Sequence, residues 1–169
     1  MKWFASLLVA LAAGGLMAFD SVDWHGKREL FMREAERLAG VYTNVSARVA
    51  NPAENVTIPL DSHPDGSIKV SVSATKAQYF LKEGLVWAEG VVVRSFSPTG
   101  APESRIDAQS CVIDREARTG WAAGDVKVTH GQTACRGRDV FFSAPESYVR
   151  IFRDARVDAA GLRIEGVRR

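Results

Sequence analysis

The side chains in this sequence that could carry chemistry are few and lie far apart. The chain contains three histidines and two cysteines, and it lacks the H-E-x-x-H, paired C-x-x-C and G-x-S-x-G patterns of common catalytic and zinc sites. Cys111, His130 and Cys135 could in principle bind zinc, but the set lacks a fourth ligand and the short spacing typical of such sites. No glycine-rich loop introduces a helix, so we expect no phosphate cradle. The sequence therefore predicts no catalytic residue, no metal site and no cofactor.

The composition is typical of one ordinary domain with an appendage. The chain has 169 residues, and 46% of them are hydrophobic, which is enough to bury a core. The formal net charge is only +2, and Lys and Arg are interspersed with Asp and Glu. This pattern is typical of a solvated surface of mixed charge and gives no reason to expect a nucleic acid partner.

The part of the sequence that must position any functional residue contains an internal repeat. Residues 74–94 and 108–128 align without a gap at a constant offset of 34, and each copy contains a W-A-x-G tetrapeptide that ends at Gly90 or Gly124. A looser third copy starts at Gly137. A fixed period indicates stacked units, none of which can bury its apolar face alone.

Each unit is predicted to be a strand, a polar turn and a second strand. Apolar and polar residues alternate from Ile68 to Ala74, which is the period of a half-buried strand. A glycine inside a strand usually marks a bulge or a bend. We therefore expect a meandering antiparallel sheet that bends at the same level, near Gly90 and Gly124, in each unit.

Turn signals at regular intervals favour an all-β sandwich, barrel or roll. Asp65-Gly66 is the strongest hairpin signal. Because proline lacks a ladder donor, Pro59 predicts that the strand of residues 56–60 lies at a sheet edge or ends there. The further strands are predicted near residues 67–75, 77–80, 85–97, 104–114, 119–129, 133–143, 147–158 and 161–166.

The register of the repeats bears on the two cysteines. An even count suits a disulfide in an oxidising compartment. The third copy, however, places Cys135 opposite Ile106, which leaves Cys111 roughly 16 Å away along the strand at about 3.3 Å per residue. A disulfide needs Cα atoms within about 7 Å, so the register speaks against the bridge, although the looser third copy leaves that pairing open.

The amino terminus holds the longest apolar segment. Trp3 to Phe19 is unbroken, follows Lys2 and precedes Asp20, which predicts a membrane anchor or a signal peptide in residues 1–20. The cleavage signals are mediocre, which slightly favours an uncleaved anchor. Either outcome places the rest of the chain outside the cytoplasm.

A short amphipathic helix is predicted next, in a linker of residues 21–53. Lys27 to Leu38 has apolar residues on one helical face, among them Leu30, and Gly40 is a stop signal. Such a helix could dock a partner or a membrane surface, or could only cap an open end of the sheet. From Tyr42 onward the residues become strand-like.

Apolar side chains are predicted to form one face through every layer of the sheet. A layered roll without helices to cover it must close on its own side chains or stay open along a seam, and an exposed apolar seam marks a binding site. The groove candidates are Val70, Val72, Trp87, Val92, Ile106, Val112, Trp121, Val126, Val128, Phe142 and Ile151.

The order of these motifs resembles a known family. An amino-terminal apolar segment, a D-G turn, A-x-x-A-x-Y with W-A-E-G-V-V-V, and then A-x-x-C-x-I with W-A-x-G-x-V-x-V are similar to the periplasmic proteins of lipopolysaccharide transport, the LptA/LptC or OstA-like family. The likeness covers roughly residues 54–166. The possible uncleaved anchor and the single-copy length are closer to the LptC branch.

The resemblance implies a fold and a function for residues 54–169. The fold is a twisted, V-shaped open β-jellyroll that cradles the acyl chains of lipopolysaccharide. An inner-membrane ABC exporter supplies the lipid, and family members stack edge to edge into a periplasmic bridge toward the outer membrane. The candidate partner edges are the strand of Val56 and Ile58 and the strand of Leu162 and Ile164. The expected location is the inner membrane with a single pass and the bulk of the chain in the periplasm.

Two other interpretations stay open at the level of sequence. A soluble periplasmic carrier similar to LptA differs only in losing its leader. A structural β protein that polymerises edge to edge and binds no lipid predicts a tightly filled interior. An enzyme is the weakest interpretation, because no constellation of residues supports it.

Overall fold

The computed structural model describes residues 24–159, and it describes the side chains of residues 26–157. Helix α1 precedes seven strands that form one antiparallel meander in the order β1-β2-β3-β4-β5-β6-β7. The bounds are α1 Trp24–Ala47, β1 Ala53–Ser62, β2 Ile68–Phe80, β3 Leu85–Phe96, β4 Pro102–Asp114, β5 Thr119–His130, β6 Thr133–Ser143 and β7 Tyr148–Ala159. The prediction of an all-β sheet protein is confirmed for this part of the chain.

Strand β1 lies at one edge of the sheet, as Pro59 predicts. The hairpin at Asp65-Gly66 is also confirmed: Gly66 adopts φ 84°, and the backbone amide of His63 donates to the carbonyl of Ser67 at 2.8 Å. The predicted break between residues 75 and 77 is wrong. Strand β2 is continuous there because Lys76 pairs with β1 on one side and with β3 on the other.

The strands bend at one level of the sheet. Gly90 and Gly124 both adopt positive φ, at 62° and 78°. They lie on the two sides of β4, beside its segment from Ala108 to Ser110. Asn55, Asp139 and Asp154 also adopt positive φ within β1, β6 and β7. The register shifts there in the pairs β4–β5, β5–β6 and β6–β7. The predicted common bend is confirmed, and along β2, β3, β4 and β6 it changes which residue parity faces inward.

Helix α1 is twice as long as the predicted segment. It does not stop at Gly40, which lies in open space on the exposed side, and it continues to Ala47. The predictions of a stop at Gly40 and of strand character from Tyr42 are wrong, because Tyr42 and Val45 pack as helical residues against the sheet. Leu30 was predicted on the apolar face, but it is 61% exposed.

Two apolar clusters lie on opposite faces of the sheet. The helix-covered cluster contains Leu38, Val45, Trp87, Val112 and Phe141, and α1 seals it. The inner-face cluster is larger and has no helix over it; its buried members are Leu60, Val70, Val72, Ala74, Ala77, Val86, Ala88, Val91, Val93, Ile106, Cys111, Ile113, Ala122, Val126, Val128, Cys135, Val140, Phe142 and Ala144. Burial without a second layer requires the sheet to fold over this face.

Contacts between distant strands show how the sheet folds over. Val70 of β2 lines the same small cavity as Phe142 of β6 and Val149 of β7. The Nζ of Lys69 donates to the carbonyl of Pro145, in the turn between β6 and β7, at 3.0 Å. The beginning of β2 therefore lies across the inner face of β6 and β7, which are not its neighbours in the sheet.

Both cysteines are buried, and they do not form a disulfide with each other. Val128 pairs with Ile106 on one side and with Cys135 on the other, so the register inferred from the repeats is correct. Cys111 belongs to a different row, between Ala88 and Ala122.

The predicted apolar segment of residues 1–20 and the predicted strand at 161–166 lie outside the described residues. Within the described part of the chain, no helix combines the length and apolar character needed to cross a bilayer.

Candidate functional site: the inner face and its rim

Seven of the eleven groove candidates lie together on the inner face. Five of them are strand residues of the two repeats and their flanks, and two come from the third copy. They are Val70, Val72, Ile106, Val126, Val128, Phe142 and Ile151. The sequence alternation thus identified part of one continuous apolar surface, whose buried members are more numerous.

The other four candidates are on the opposite face. Trp87, Val112 and Trp121 contact helix α1 or its cluster, and Val92 shares an outward row with Asp107. The prediction of one common face is wrong for these four, because the bend changes the parity within a strand. The repeated W-A-x-G spacing thus marks the bend of the strand and a contact with the helix-covered cluster rather than a groove.

The tryptophans are packed in different ways under α1. Trp87 is buried, and its Nε1 has no hydrogen-bond partner. Trp121 is half-buried and packs against Phe152 with ring centroids 5.1 Å apart. Both side chains serve to attach the helix, since their apolar surface is the part that α1 covers.

The inner face is closed in this conformation. Its buried apolar members are at most 6% exposed, and a cavity of about 90 Å³ lies between β2 and the β6–β7 hairpin. The cavity has a polar side, where the hydroxyls of Ser95 and Ser104 are 2.6 Å apart and His130 contributes its ring. Phe142 fills the centre against Gly120, where a Cβ would come within 2.2 Å of the Phe142 ring.

The inner face opens to the surface beside strand β1. A depression of about 350 Å³ is lined mainly by Val56, Ile58, Ala77, Tyr79 and Val86. Tyr79 remains 43% exposed there, although it belongs to the inward row. This depression is an apolar mouth at the sheet edge.

A cation stands at the rim of this mouth. The guanidinium carbon of Arg115 is 5.6 Å from the centroid of the Tyr79 ring, and Arg115 also lines the depression. A guanidinium at this distance is attracted by the ring face. The mouth therefore combines an apolar floor with a positive charge at its edge.

An ionic clasp closes the opposite end of β1. Asp61 is 8% exposed, and its Oδ1 accepts from Arg118 at 2.7 Å while its Oδ2 lies 3.2 Å from Lys69. Lys69 also donates to the carbonyl of Pro145. The clasp thus joins β1 and β2 to the β4–β5 and β6–β7 turns, which lie across the inner face.

The clasp controls the ionisation of Asp61. Burial alone would raise the pKa of this carboxyl, but the hydrogen bond and charge of Lys69, with Arg118, outweigh burial and hold the pKa below its ordinary value. Asp61 is therefore ionised at neutral pH and holds the two cations together.

The predicted partner edges are located only in part. Val56 and Ile58 pair with Ala74 and Val72 on one side, and β1 has no strand on its other side within the described residues. Leu162 and Ile164 lie outside the described residues. At the other edge of the described sheet, β7 carries Arg150, Arg153 and Arg156 along its length.

Sequence reasoning missed the clasp. Asp61 and Lys69 flank the D-G hairpin, and composition alone assigns such charges to a solvated turn. The signal that could have found them is the pairing of a charge next to buried Leu60 with a lysine in an alternating strand. Arg118, however, is 57 positions from Asp61, so only the folded sheet brings them together.

Residues 24–159 contain no group of three or more potential metal ligands. The features that could bind a ligand or a partner are the apolar inner face, the mouth beside β1, the clasp around Asp61 and the unpaired side of β1 in the described sheet. Comparison of the sequence with known protein families and with curated proteins gives no match to either.

Proposed function

We propose that this protein exports lipopolysaccharide: it binds the acyl chains on the inner face of its sheet and passes the lipid from an inner-membrane ABC exporter to an LptA-like periplasmic protein. The observation that carries the proposal is the continuous apolar inner face, which opens through the mouth beside β1. The motif order in the sequence, similar to the OstA-like family, supports the same assignment. The finer fold under this proposal is a twisted, open β-jellyroll.

The physical need for such a carrier is large. Each methylene exposed to water costs about 0.8 kcal/mol, so an acyl chain of about twelve carbons costs about 10 kcal/mol. A lipid with several chains therefore requires an apolar surface throughout an aqueous compartment. The inner-face cluster provides branched and aromatic side chains on all strands from β2 to β7.

Loading requires the inner face to open, because a cavity of about 90 Å³ is too small for an acyl chain. We place the entry at the mouth, where Val56, Ile58 and Tyr79 are already accessible in part. Movement of β1 away from the β4–β5 turn would widen this entry, and the Asp61 clasp opposes that movement.

Transfer between proteins is assigned to the strand edges. The free side of β1 offers backbone donors and acceptors that an added strand can pair with. Pro59 limits that pairing at one end of β1. In this proposal the apolar segment of residues 1–20 is the anchor, so the chain is a single-pass inner-membrane protein with its sheet in the periplasm.

Photo-crosslinking in cells tests the lipid site. A photoreactive phenylalanine analogue is placed at Tyr79, in the mouth, or at Phe142, beside the inner cavity. We expect a lipopolysaccharide adduct from both positions, detected as a band that reacts with antibody to the lipid.

The same analogue at Trp121 is the matched control, because it also replaces one aromatic ring by another but on the helix-covered face. Lys127, on the uncovered outer face, is a second control. Equal labelling at Tyr79 and Trp121, or no adduct from Tyr79 and Phe142, would contradict the proposal.

A second candidate is a structural β protein that polymerises edge to edge. The nearly complete burial of the inner face favours it. It predicts that the purified protein carries no fatty acid, whereas the lipid carrier yields hydroxylated fatty acids on organic extraction and mass spectrometry. An intact mass of the expressed protein separates an anchored subunit from a soluble carrier with a cleaved leader.

A further inference from the structure

The apolar inner face contains a polar row near one end of its strands. Ser95 pairs directly with Ser104, and Ser104 pairs directly with His130, on three consecutive strands. Ser95 also pairs with Val70, which belongs to the inner-face cluster. Because directly paired residues point to the same face of a sheet, all three polar side chains belong to the inner face. We name Ser95, Ser104 and His130 the polar row.

The polar row lines the cavity between β2 and the β6–β7 hairpin. Val93, Ile106 and Phe142 form part of the apolar wall of the same cavity. The volume of about 90 Å³ is well above the roughly 15 Å³ that one water needs. The cavity can therefore hold a small polar group together with the carbon that carries it.

The polar row has hydrogen-bonding capacity that the fold does not use. The hydroxyl oxygens of Ser95 and Ser104 are 2.6 Å apart, so one hydroxyl donates to the other and the second keeps its own hydrogen for a further bond. The Nδ1 of His130 is buried and has no hydrogen-bond partner among the described residues. Because a buried polar atom without a partner costs stability, this end of the inner face is suited to a ligand that supplies the missing bond.

The position of the cavity defines how a chain on the inner face would lie. Asp61 of the clasp pairs with Val70, which lines the cavity, so the cavity is at the clasp end of β1. Ala77, which lines the mouth, is roughly 23 Å from Val70 along β2 at about 3.3 Å per residue. Between them, the inner-face residues Val72 and Ala74 are apolar. An acyl chain that extends from the cavity toward the mouth therefore meets polar groups only at the end that lies in the cavity.

We propose that the polar row binds the hydroxyl group of an acyl chain that is hydroxylated near its head end, while the rest of the chain lies on the inner face toward the mouth. This inference rests on the acyl-chain binding proposed above and adds the class of chain that the site selects. A hydroxyl both donates and accepts, so it can bond to the Nδ1 of His130 in either tautomer and also to the serine pair.

An uncharged group suits the cavity better than an anionic one. Glu103 also lines the cavity, and a carboxylate bound there would be repelled by the carboxylate of Glu103. A hydroxyl has no charge and makes the same hydrogen bonds to the polar row. The acidic or linked head of the chain is therefore expected outside the cavity, with the hydroxyl-bearing carbon inside it.

The test compares dodecanoic acid, 3-hydroxydodecanoic acid and 12-hydroxydodecanoic acid as ligands of the full-length chain in detergent. Each acid displaces a fluorescent fatty acid, which gives its dissociation constant. We define the hydroxyl preference as the dissociation constant of dodecanoic acid divided by that of the 3-hydroxy acid. Partitioning of the acids into detergent and onto the apolar run of residues 3–19 is common to wild type and variants, so a change in the preference reports on the substituted residues.

We expect the wild type to bind 3-hydroxydodecanoic acid about tenfold more tightly than dodecanoic acid, which is the effect of about one net hydrogen bond. The 12-hydroxy acid should bind no better than dodecanoic acid. Its hydroxyl lies at the other end of the chain, among apolar side chains, where it loses water without gaining a partner.

Two sets of variants remove the polar row. S95A/S104A deletes both hydroxyls at once, so neither is left unpaired, and the melting temperature should stay close to that of the wild type. Its hydroxyl preference should fall below about twofold. H130L should lower the preference in the same way, whereas H130N keeps a polar atom near the position of Nδ1 and should retain most of it.

The matched control is Y42F/S110A. It removes another pair of hydrogen-bonded hydroxyls, whose oxygens are 2.5 Å apart, but on the helix-covered side of the sheet. Its hydroxyl preference should equal that of the wild type. A loss as large as that of S95A/S104A would show that the preference does not come from the polar row, and would overturn the inference.

The outcomes separate this inference from the proposed function. A wild type that binds dodecanoic acid but shows a hydroxyl preference of about one would overturn the inference and leave the acyl-chain site in place. Absence of binding by all three acids, with no lipopolysaccharide adduct from Tyr79, would overturn both. An unchanged preference in S95A/S104A and H130L would assign the hydroxyl to another part of the molecule and overturn the role of the polar row.

Discussion

The two apolar clusters of this protein are built from the same strands but closed in different ways. The helix-covered cluster is sealed by α1 and contains stacked rings, such as Phe31 on Tyr148 with centroids 4.5 Å apart. The inner-face cluster consists mostly of Val, Ile and Ala, and it is closed by the sheet folding over itself. One cluster is therefore a permanent core, and the other is a surface that a movement of strands could uncover.

The polar contacts around the clusters follow the same division. Lys27 and Arg37 of α1 join Glu146 and Asp114, and Arg48, directly after α1, joins Glu83, so the helix is tied to the sheet and its turns at separate points. The inner face is tied at one end by the clasp around Asp61. A closure that depends on one buried carboxylate can be released by one change, whereas the helix cannot be released in that way.

The sharpest comparison uses two adjacent phenylalanines. Phe141 is 0% exposed in the helix-covered cluster, and Phe142 is 3% exposed on the inner face. We expect F141A and F142A each to reduce the free energy of unfolding by about 3–5 kcal/mol, measured by urea denaturation. Only F142A enlarges the inner cavity, so only F142A should increase the binding of a fluorescent fatty acid.

The control for this pair is L81A, at a turn residue that is 79% exposed. It should change the unfolding free energy by less than about 0.5 kcal/mol. Increased fatty-acid binding by F141A would contradict the division of the molecule into a permanent core and an inner surface that can open.

The next comparison releases the clasp. D61N removes the charge that joins Lys69 and Arg118, and it leaves the side-chain shape unchanged. We expect a loss of about 1–3 kcal/mol at pH 7, less than for a fully buried pair because Arg118 is partly exposed. Fatty-acid binding should rise, since β1 is no longer held to the β4–β5 turn.

The stabilisation by Asp61 should depend on pH in a definite direction. The pKa of Asp61 is lowered in the folded state, so its stabilisation is present above the unfolded value of about 3.9 and is lost as pH falls through the folded pKa. The stability difference between wild type and D61N should therefore be constant from neutral pH down to about pH 5 and shrink below pH 4. D154N is the control, at an exposed position of positive φ that asparagine accepts. A difference that persists unchanged at pH 3 would show that the charge of Asp61 does not close the inner face.

The sequence alone predicts the sheet, its bend and its β1 edge. Period-two alternation from Ile68 to Ala74 and the matched Gly90 and Gly124 express local backbone rules, which act within a few residues. The same rules predict that the cysteines lie in different rows.

The face assignment of Trp87 could not be predicted in this way. Alternation gives the relative orientation of residues within a strand, but a bend with positive φ changes the parity beyond it. The covering of one face by α1 depends in part on Val41 and Val45, whose spacing of four suits a strand as well as a helix. The clasp, too, requires knowledge of which turns meet across the inner face.

The two cysteines compare the centre of the inner face with the part near strand β7, and we expect the smallest effect for this comparison. Cys111 lies between Ala88 and Ala122 in the middle of the sheet, and burial raises its pKa to about 12. Cys135 pairs with Val157 of the edge strand β7, and Val157 is 45% exposed. We expect the Cys135 thiol, in C111A, to react with a maleimide faster than the Cys111 thiol in C135A, since opening near an edge exposes fewer residues than opening at the centre.

The control is the reaction of both variants in urea, where the two unfolded thiols should react equally fast. If Cys111 reacted first in the folded protein, the inner face would open from the middle of the sheet rather than from its edges, and the mouth beside β1 would lose its place as the route of entry.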